Sequence, residues 1–445
     1  MKKKTLYLYV FVAALGGLLF GFDTAVINGA LPFFTEYFEL TKAMQGWAVS
    51  SALVGCVVGA LAIGKPGDAF GRRFMLRILA VLFFISAIGT GLATNFSVFI
   101  VFRIIGGIGV GAASVLSPMY ISEIAPPAYR GRLTVTFQLA IVIGLLVAFF
   151  SDYLLLNTGP NNWRWMFLTE CIPAIAFLTL LFFVSKSPRW LVKNGEYESA
   201  KQVISVVNPE EDADQVLKEI IESVDNEVIS KSIYLFRKPY LPLVIIGIAV
   251  GFFNQFTGIN IIMYYATDIF RAAGFSTENS IGQTVLIGFT NLIFTLIAMR
   301  VIDNFGRKRL LLVGSLGMTV FLALFSWIYL SGNSESYLTL VMLLGFIAFF
   351  ASSQGAVIWV LLAEMFPNNV RSRGVAMGSF SHWFFNAITT FLFPVIVGLF
   401  SDGKGIGYIF GFYAFVTFLS YFYFKKYLVE TKGKSLEELE KMVLK

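Results

Sequence analysis

The sequence predicts an all-α membrane protein: twelve transmembrane helices in two six-helix halves, joined by a cytoplasmic helical linker. Three observations carry this expectation: span-length apolar runs, loops whose basic charge alternates, and landmarks that occur twice. Of 445 residues, 57% are hydrophobic and 14% charged, whereas soluble domains are nearer half apolar and a quarter charged. A helix of about 20 apolar residues crosses a bilayer. Twelve runs qualify: 7–30, 45–64, 76–95, 98–122, 132–156, 164–185, 240–269, 280–302, 309–331, 337–364, 372–400 and 404–427. The first is read as a span and not a signal peptide, because no small-residue cleavage site precedes Asp23. Cys56 and Cys171 lie inside spans and read as packing residues.

The net charge is +7, but its placement argues against nucleic acid. Lys2, Lys3 and Lys4 precede the first span. Lys65, Arg72, Arg73 and Arg77 follow the second, Arg130 and Arg132 the fourth, Arg307, Lys308 and Arg309 the eighth, and Arg371 and Arg373 the tenth. The alternate loops hold little beyond Lys42, Arg164, Arg271 and Lys404. The positive-inside rule puts both termini in the cytoplasm, and an even span count, which returns the chain to its starting side, agrees with that. The expected location is the cell (inner) membrane, with lipid as the surroundings.

One long polar stretch follows the sixth span. Within it Val216, Ile220, Ile221 and Val224 fall at helical spacing. The expected organisation is an N-terminal half over 1–186, a linker over 187–239, a C-terminal half over 240–430 and a tail over 431–445. A duplication supports it. "GDAFGRR" (67–73) follows span two and "DNFGRKR" (303–309) follows span eight, which aligns Asp68 with Asp303 and Arg72 with Arg307. "SEIAPPAYRGR" (122–132) and "AEMFPNNVRSR" (363–373) align Glu123 with Glu364 and Arg130 with Arg371. Parallel repeats are one transporter plan, with substrate near the midplane between them.

These loops, with "SPMYISEIAP", "SPRWL", "NQFTGIN" and "ETKGKSLEELE", make the chain resemble the sugar porters of the major facilitator superfamily over nearly its whole length. The likeness is nearest to bacterial proton-coupled pentose and hexose symporters, and more distant to animal facilitative glucose transporters. It implies the major facilitator fold. Several positions depart from the family pattern. Ala69 stands where Arg is frequent, Ser185 and Lys186 replace the Pro-Glu before Ser-Pro-Arg, and Val429 replaces a Pro.

An ionisable residue inside a membrane is functional by default, and its partner should be named. For Asp23 the candidate is Arg103, in the glycine-rich "VFRIIGGIGVG". Gly106, Gly107, Gly109 and Gly111 there allow close helix approach. Burial favours the neutral carboxyl and a neighbouring cation favours the carboxylate. A changing Asp23–Arg103 distance therefore permits proton uptake on one side and release on the other. The resemblance gives the same roles to an acid and an arginine at these positions, and the facilitators lack the acid. The plain alternative is a static ion pair that sets helix register.

A sugar site needs neutral groups that both donate and accept hydrogen bonds, with flat apolar walls. Asn254, Gln255, Asn260 and Tyr264 cluster in span seven. Asn260 and Tyr264 share a face, and a break at Thr257-Gly258 would bring Gln255 to them. The resemblance places sugar contacts at all four, with Gln usual where Asn254 stands. It adds Phe20, Gln138, Asn291, Trp359, Trp383 and Asn386. Gly355, four before Trp359, leaves room for a sugar ring. His382 is the only histidine and replaces an amide of the relatives. Its readings are substrate contact first, then a structural histidine, then proton coupling. For each residue alone, the bland reading is helix packing.

At the cytoplasmic face, Arg72, Arg130, Arg307 and Arg371 are expected to face Glu123, Glu364, Asp68 and Asp303 as a latch on the inner gate. Span ten lacks the proline that relatives often carry before the tryptophan, so the sequence offers no signal for a bend there. No phosphate loop, metal cluster or enzyme constellation is apparent, and no cofactor is expected. The reading is a monomeric importer of a pentose or hexose by proton symport and alternating access. Its rivals are a facilitative sugar, polyol or inositol uniporter, and a membrane sugar sensor. Fifteen residues after Glu430 make a short tail for a sensor.

Overall fold

The computed structural model describes residues 2–126, 129–208, 212–229, 235–236, 240–332, 336–366 and 370–432. These residues form nineteen helices and, among them, no strand. In order they are α1 (Lys2–Tyr37), α2 (Lys42–Ala62), α3 (Gly64–Phe70), α4 (Arg72–Gly91), α5 (Phe96–Ile124), α6 (Arg130–Leu155), α7 (Asn162–Leu168), α8 (Cys171–Leu180), α9 (Pro188–Lys193), α10 (Tyr197–Val207) and α11 (Ala213–Ile229). They continue as α12 (Leu241–Gln255), α13 (Ile259–Ala272), α14 (Thr277–Phe305), α15 (Arg307–Leu330), α16 (Ser336–Ser352), α17 (Gln354–Met365), α18 (Arg371–Leu399) and α19 (Gly405–Tyr427). Among the described residues, eleven spans are long and apolar enough to cross a membrane.

The expected sixth span is the exception: it is divided into α7 and α8, of only 7 and 10 residues, and carries Arg164 and Glu170. Pro173 explains the break. It has no N–H to offer the Thr169 carbonyl one turn back, so the ladder cannot run through. Span seven breaks where expected: Gly258 is left-handed, with φ +80°, and a Cβ there would strike the Tyr413 ring. Span ten also breaks, between α16 and α17, without a proline. Ser353 leaves helical geometry at φ −130°, ψ −93°, and its hydroxyl bonds the Phe349 carbonyl at 2.5 Å while Ser352 bonds that of Ala348. Serines that bond back to the preceding turn bend helices.

The crossings are built by small residues. Cβ atoms at Gly55 and Gly59 of α2 would clash with the α5 backbone, and Cβ atoms at Gly107 and Gly111 of α5 would clash with the α2 backbone. Such contact is what drives helix association where no hydrophobic force distinguishes a neighbour from lipid. A Cβ at Gly106 would meet the Ser86 side chain of α4 and not backbone, while Gly109 sits in ordinary contact with Phe83. Cys56 is fully buried at the α2–α5 crossing, and Cys171 is half-buried. Helices of the first six spans meet those of the last six along α2–α18, α6–α14 and α1–α13. Helices α9 to α11 form a separate apolar cluster around Leu191, Val192 and Ala200. Ile220, Ile221 and Val224 join it as expected, but Leu217 takes the place expected for Val216.

Candidate functional site

A cavity of about 120 Å³ lies where the central spans converge. Phe20 and Thr24 of α1, Gln138 of α6 and Asn254 of α12 line it, with Asn260 and Tyr264 of α13. Asn291 and Thr295 of α14, Gly355 and Trp359 of α17, and His382, Trp383 and Asn386 of α18 complete its polar and aromatic wall. No carboxylate, lysine or arginine lines it among the described residues.

Of the expected sugar contacts, only Gln255 stands behind the wall. It is buried at the end of α12 and organises the wall residues instead. Its Oε1 accepts from Asn260 Nδ2 at 2.6 Å across the helix break, and its amide donates to Asn254 Oδ1 and His382 Nδ1, each at 2.9 Å. A neutral imidazole that accepts at Nδ1 carries its proton on Nε2. Asn254 also donates to Gln354 at the start of α17 (3.3 Å), which ties the two broken spans together. Thr257 steadies the break by donating to the Asn254 carbonyl at 2.7 Å. Asn386 donates to the Tyr264 hydroxyl at 3.3 Å and accepts from Thr390.

The aromatic wall is continuous. Phe20 lies 5.4 Å from Trp383, ring centre to ring centre, His382 stands edge-on to Trp383 at 5.3 Å, and Trp359 lies 4.9 Å from His382. The indole Nε1 of Trp383 is buried with no hydrogen-bond partner among the described residues. Thr24 and Thr295 belong to the wall but were not anticipated. Each stands four residues after an expected contact, Phe20 or Asn291, so helical spacing alone identifies them.

Asp23 and Arg103 meet as expected. Arg103 Nη1 lies 2.9 Å from Asp23 Oδ1, with the side chains 2% and 1% exposed. The same nitrogen reaches the Asp23 carbonyl at 3.3 Å, and the guanidinium lies 5.6 Å from the Phe167 ring centre. Asp23 Oδ2 and Arg103 Nε have no partner among the described residues. The pair does not line the cavity. It sits on the neighbouring face of α1, about 60° round the helix from Phe20 and about 100° from Thr24, so one helix carries both a charged contact and a wall of the cavity.

Beyond the cavity along α1, the Asn28 amide donates to the Met263 carbonyl and accepts from the Thr267 N–H, both at 2.9 Å. It therefore engages a donor and an acceptor one turn apart on α13 and ties α1 to α13 across the two halves. At the other end the latch residues pair locally. Arg72 bridges Glu123 at 2.9 Å and Asp68 at 2.8 Å, and Arg307 bridges Glu364 at 3.0 Å. A hydroxyl joins each acid, Ser187 at Glu123 and Thr431 at Glu364 (2.6 Å). Glu430 adds a cap to the backbone N–H groups of Arg307 and Lys308, at 2.8 and 3.1 Å. Arg130 is exposed at the start of α6 and pairs with none of these acids among the described residues. The side chains of Asp303 and Arg371 lie outside the described residues.

A family profile described as "Sugar (and other) transporter" matches residues 9–443. The chain belongs to that sugar transporter family. Its transporter relatives include the D-xylose-proton symporter of Escherichia coli (strain K12), 37% identical over 96% of this chain and 94% of that protein. The arabinose-proton symporter of Bacillus subtilis (strain 168) is 37% identical over 97% and 94%. The glucose transport protein of Synechocystis sp. is 39% identical over 96% and 95%. Among solved structures, the inward open conformation of the xylose transporter XylE from E. coli superposes with TM-score 0.86 at 35% identity, covering 98% of this chain and 99% of that one. XylE bound to 6-bromo-6-deoxy-D-glucose superposes with TM-score 0.83 at 36% identity, covering 99% and 100%. The transporter thus shares the major facilitator fold, and its class is membrane transport and not enzymatic catalysis.

Proposed function

We propose that this transporter imports a pentose or hexose together with protons, by alternating access between the halves 1–186 and 240–430. The observation that carries the sugar reading is the neutral cavity: five amides, an imidazole and two indoles, with no charged group in its wall among the described residues. Amides match hydroxyls that donate and accept, and indole faces match the C–H faces of a sugar ring. Asp23 is the proton carrier and Arg103 its counter-charge. Protonation of Asp23 removes the ion pair, frees α1 to move, and changes the wall that Phe20 and Thr24 present to the sugar.

The Asn28 contacts hold the external side shut in this conformer, and the superposition on an inward open relative with TM-score 0.86 supports that. Arg72, Glu123 and Asp68 in one half, and Arg307 and Glu364 in the other, fasten helix ends within each half. Together with Arg130, Asp303 and Arg371 they form the inner gate when the site faces outward. Both termini are cytoplasmic, the location is the inner membrane, and the monomer is the working unit.

Binding of xylose, glucose, galactose, arabinose and inositol to the purified protein tests the substrate class. At least one aldose is expected to bind. Binding of inositol alone redirects the reading to polyols, and binding of none contradicts it. Repeating the screen with His382→Gln is expected to reorder the sugars, because an amide replaces a ring that packs on two indoles. Trp383→Phe keeps the stacking and removes the unpartnered N–H. Titration calorimetry should show affinity lowered roughly five- to tenfold, from ~1–1.4 kcal/mol for one hydrogen bond.

A further inference from the structure

A second cavity, of about 280 Å³, opens at the start of α4, away from the sugar site. Arg72, Arg73, Arg77 and Lys186 line it, with Gly71, Ser187 and Trp190. The charge of Arg72 is met by Glu123 and Asp68. Arg73 and Arg77 meet no carboxylate among the described residues. They donate instead to the carbonyls of Val184 (2.9 Å) and Leu181 (3.0 Å), just past α8. Lys186 shares Glu196 at 3.2 Å and lies over the Trp190 ring. The N-terminus of α4 has no side-chain cap, so its end adds positive potential to the same place.

Exposed aromatic rings belong to the same region: Phe70 and Phe74 line the cavity, and Phe182 and Phe183 follow Leu181, whose carbonyl holds Arg77. Phe70, Phe74, Phe182 and Phe183 are 62%, 48%, 62% and 67% exposed. Arg77 is stacked on Phe182 at 4.2 Å. Large exposed apolar patches mark a partner surface or lipid. Here uncompensated guanidinium groups lie at the end of a membrane span, directly beside rings that face the acyl region. Basic pockets between transmembrane helices on the cytoplasmic side suit anionic headgroups. We propose that this cavity binds the phosphodiester of an anionic phospholipid, held by Arg73, Arg77 and Lys186, with its acyl chains over Phe74, Phe182 and Phe183. The bound lipid clamps α4 to the end of α8 and to α9. The proposed topology decides which leaflet supplies the lipid; the binding itself does not depend on it.

The test uses the full-length transporter in phosphatidylcholine nanodiscs with and without phosphatidylglycerol, followed by native mass spectrometry of retained lipid. One phosphatidylglycerol per chain is expected to persist, with phosphatidylcholine far less retained. Arg73→Gln and Arg77→Gln should each reduce retention about fivefold. Lys186→Glu, at a position 41% exposed and outside the sugar cavity, should reduce it further while sugar binding stays unchanged. Equal retention by wild type and all three variants overturns the proposal. So does displacement of the lipid by inorganic phosphate at equal occupancy, which assigns the cavity to small free anions.

Discussion

Asp23→Asn is expected to abolish proton-driven sugar accumulation while leaving sugar counterflow intact. The asparagine is nearly isosteric and still offers Arg103 an oxygen at the 2.9 Å contact, so the helix packing survives. It cannot gain or lose a proton. One proton crossing a membrane potential of 100 mV supplies ~2.3 kcal/mol, which corresponds to roughly 50-fold accumulation of a sugar coupled one to one. In proteoliposomes with an imposed potential, the variant should settle near equal concentrations on the two sides. Accumulation by the variant at the wild-type level would remove Asp23 from the coupling role. Arg103→Leu is a poorer experiment. Either substitution leaves one buried charge unpaired, at a cost of up to ~3–5 kcal/mol, but the asparagine keeps a hydrogen bond to Arg103 while the leucine makes none to Asp23.

Gln255→Ala is expected to weaken sugar binding about 50-fold, although Gln255 does not touch the cavity. Three wall residues, Asn254, Asn260 and His382, take their orientation from it. Leaving buried polar groups unsatisfied costs ~2–2.5 kcal/mol, and the wall amides would then turn toward one another and away from the sugar. Gln255→Met separates this from packing, because methionine fills the space without the hydrogen bonds. Affinity retained in the Met variant and lost in the Ala variant would make Gln255 a spacer only. Equal losses in both identify it as a positioning residue.

The parts of this architecture that were legible in the sequence follow from local chemistry. Gly258 announces the break in span seven because only glycine takes φ +80° without cost. Asp23 and Arg103 stand out because charges are rare in apolar runs. Asn254, Asn260 and Asn291 stand out for the same reason among amides. What stayed hidden depends on partners in three dimensions. The bend in span ten comes from Ser352 and Ser353, whose hydroxyls turn back onto their own helix; Ser353 does so where Gly314 of α15 leaves it room. Serines elsewhere in the chain make similar bonds inside unbroken helices, so the letters do not announce a bend. Gln255 reads as a contact because it adjoins Asn254, yet consecutive residues of a helix point about 100° apart, which sets Asn254 in the wall and Gln255 behind it. Arg130 repeats the pattern of Arg371 in the chain, but the turn before α6 leaves it in solvent. Pro173 was visible, and its consequence was masked by the apolar run on both sides.

The central claim is that sugar entry carries protons through Asp23. The most direct measurement is the external pH of weakly buffered, de-energised cells or proteoliposomes on addition of a sugar that the protein binds. The account predicts a transient alkalinisation that is dissipated by a protonophore and absent in Asp23→Asn. Sugar entry at the wild-type rate with no pH change, insensitive to the protonophore, would contradict it.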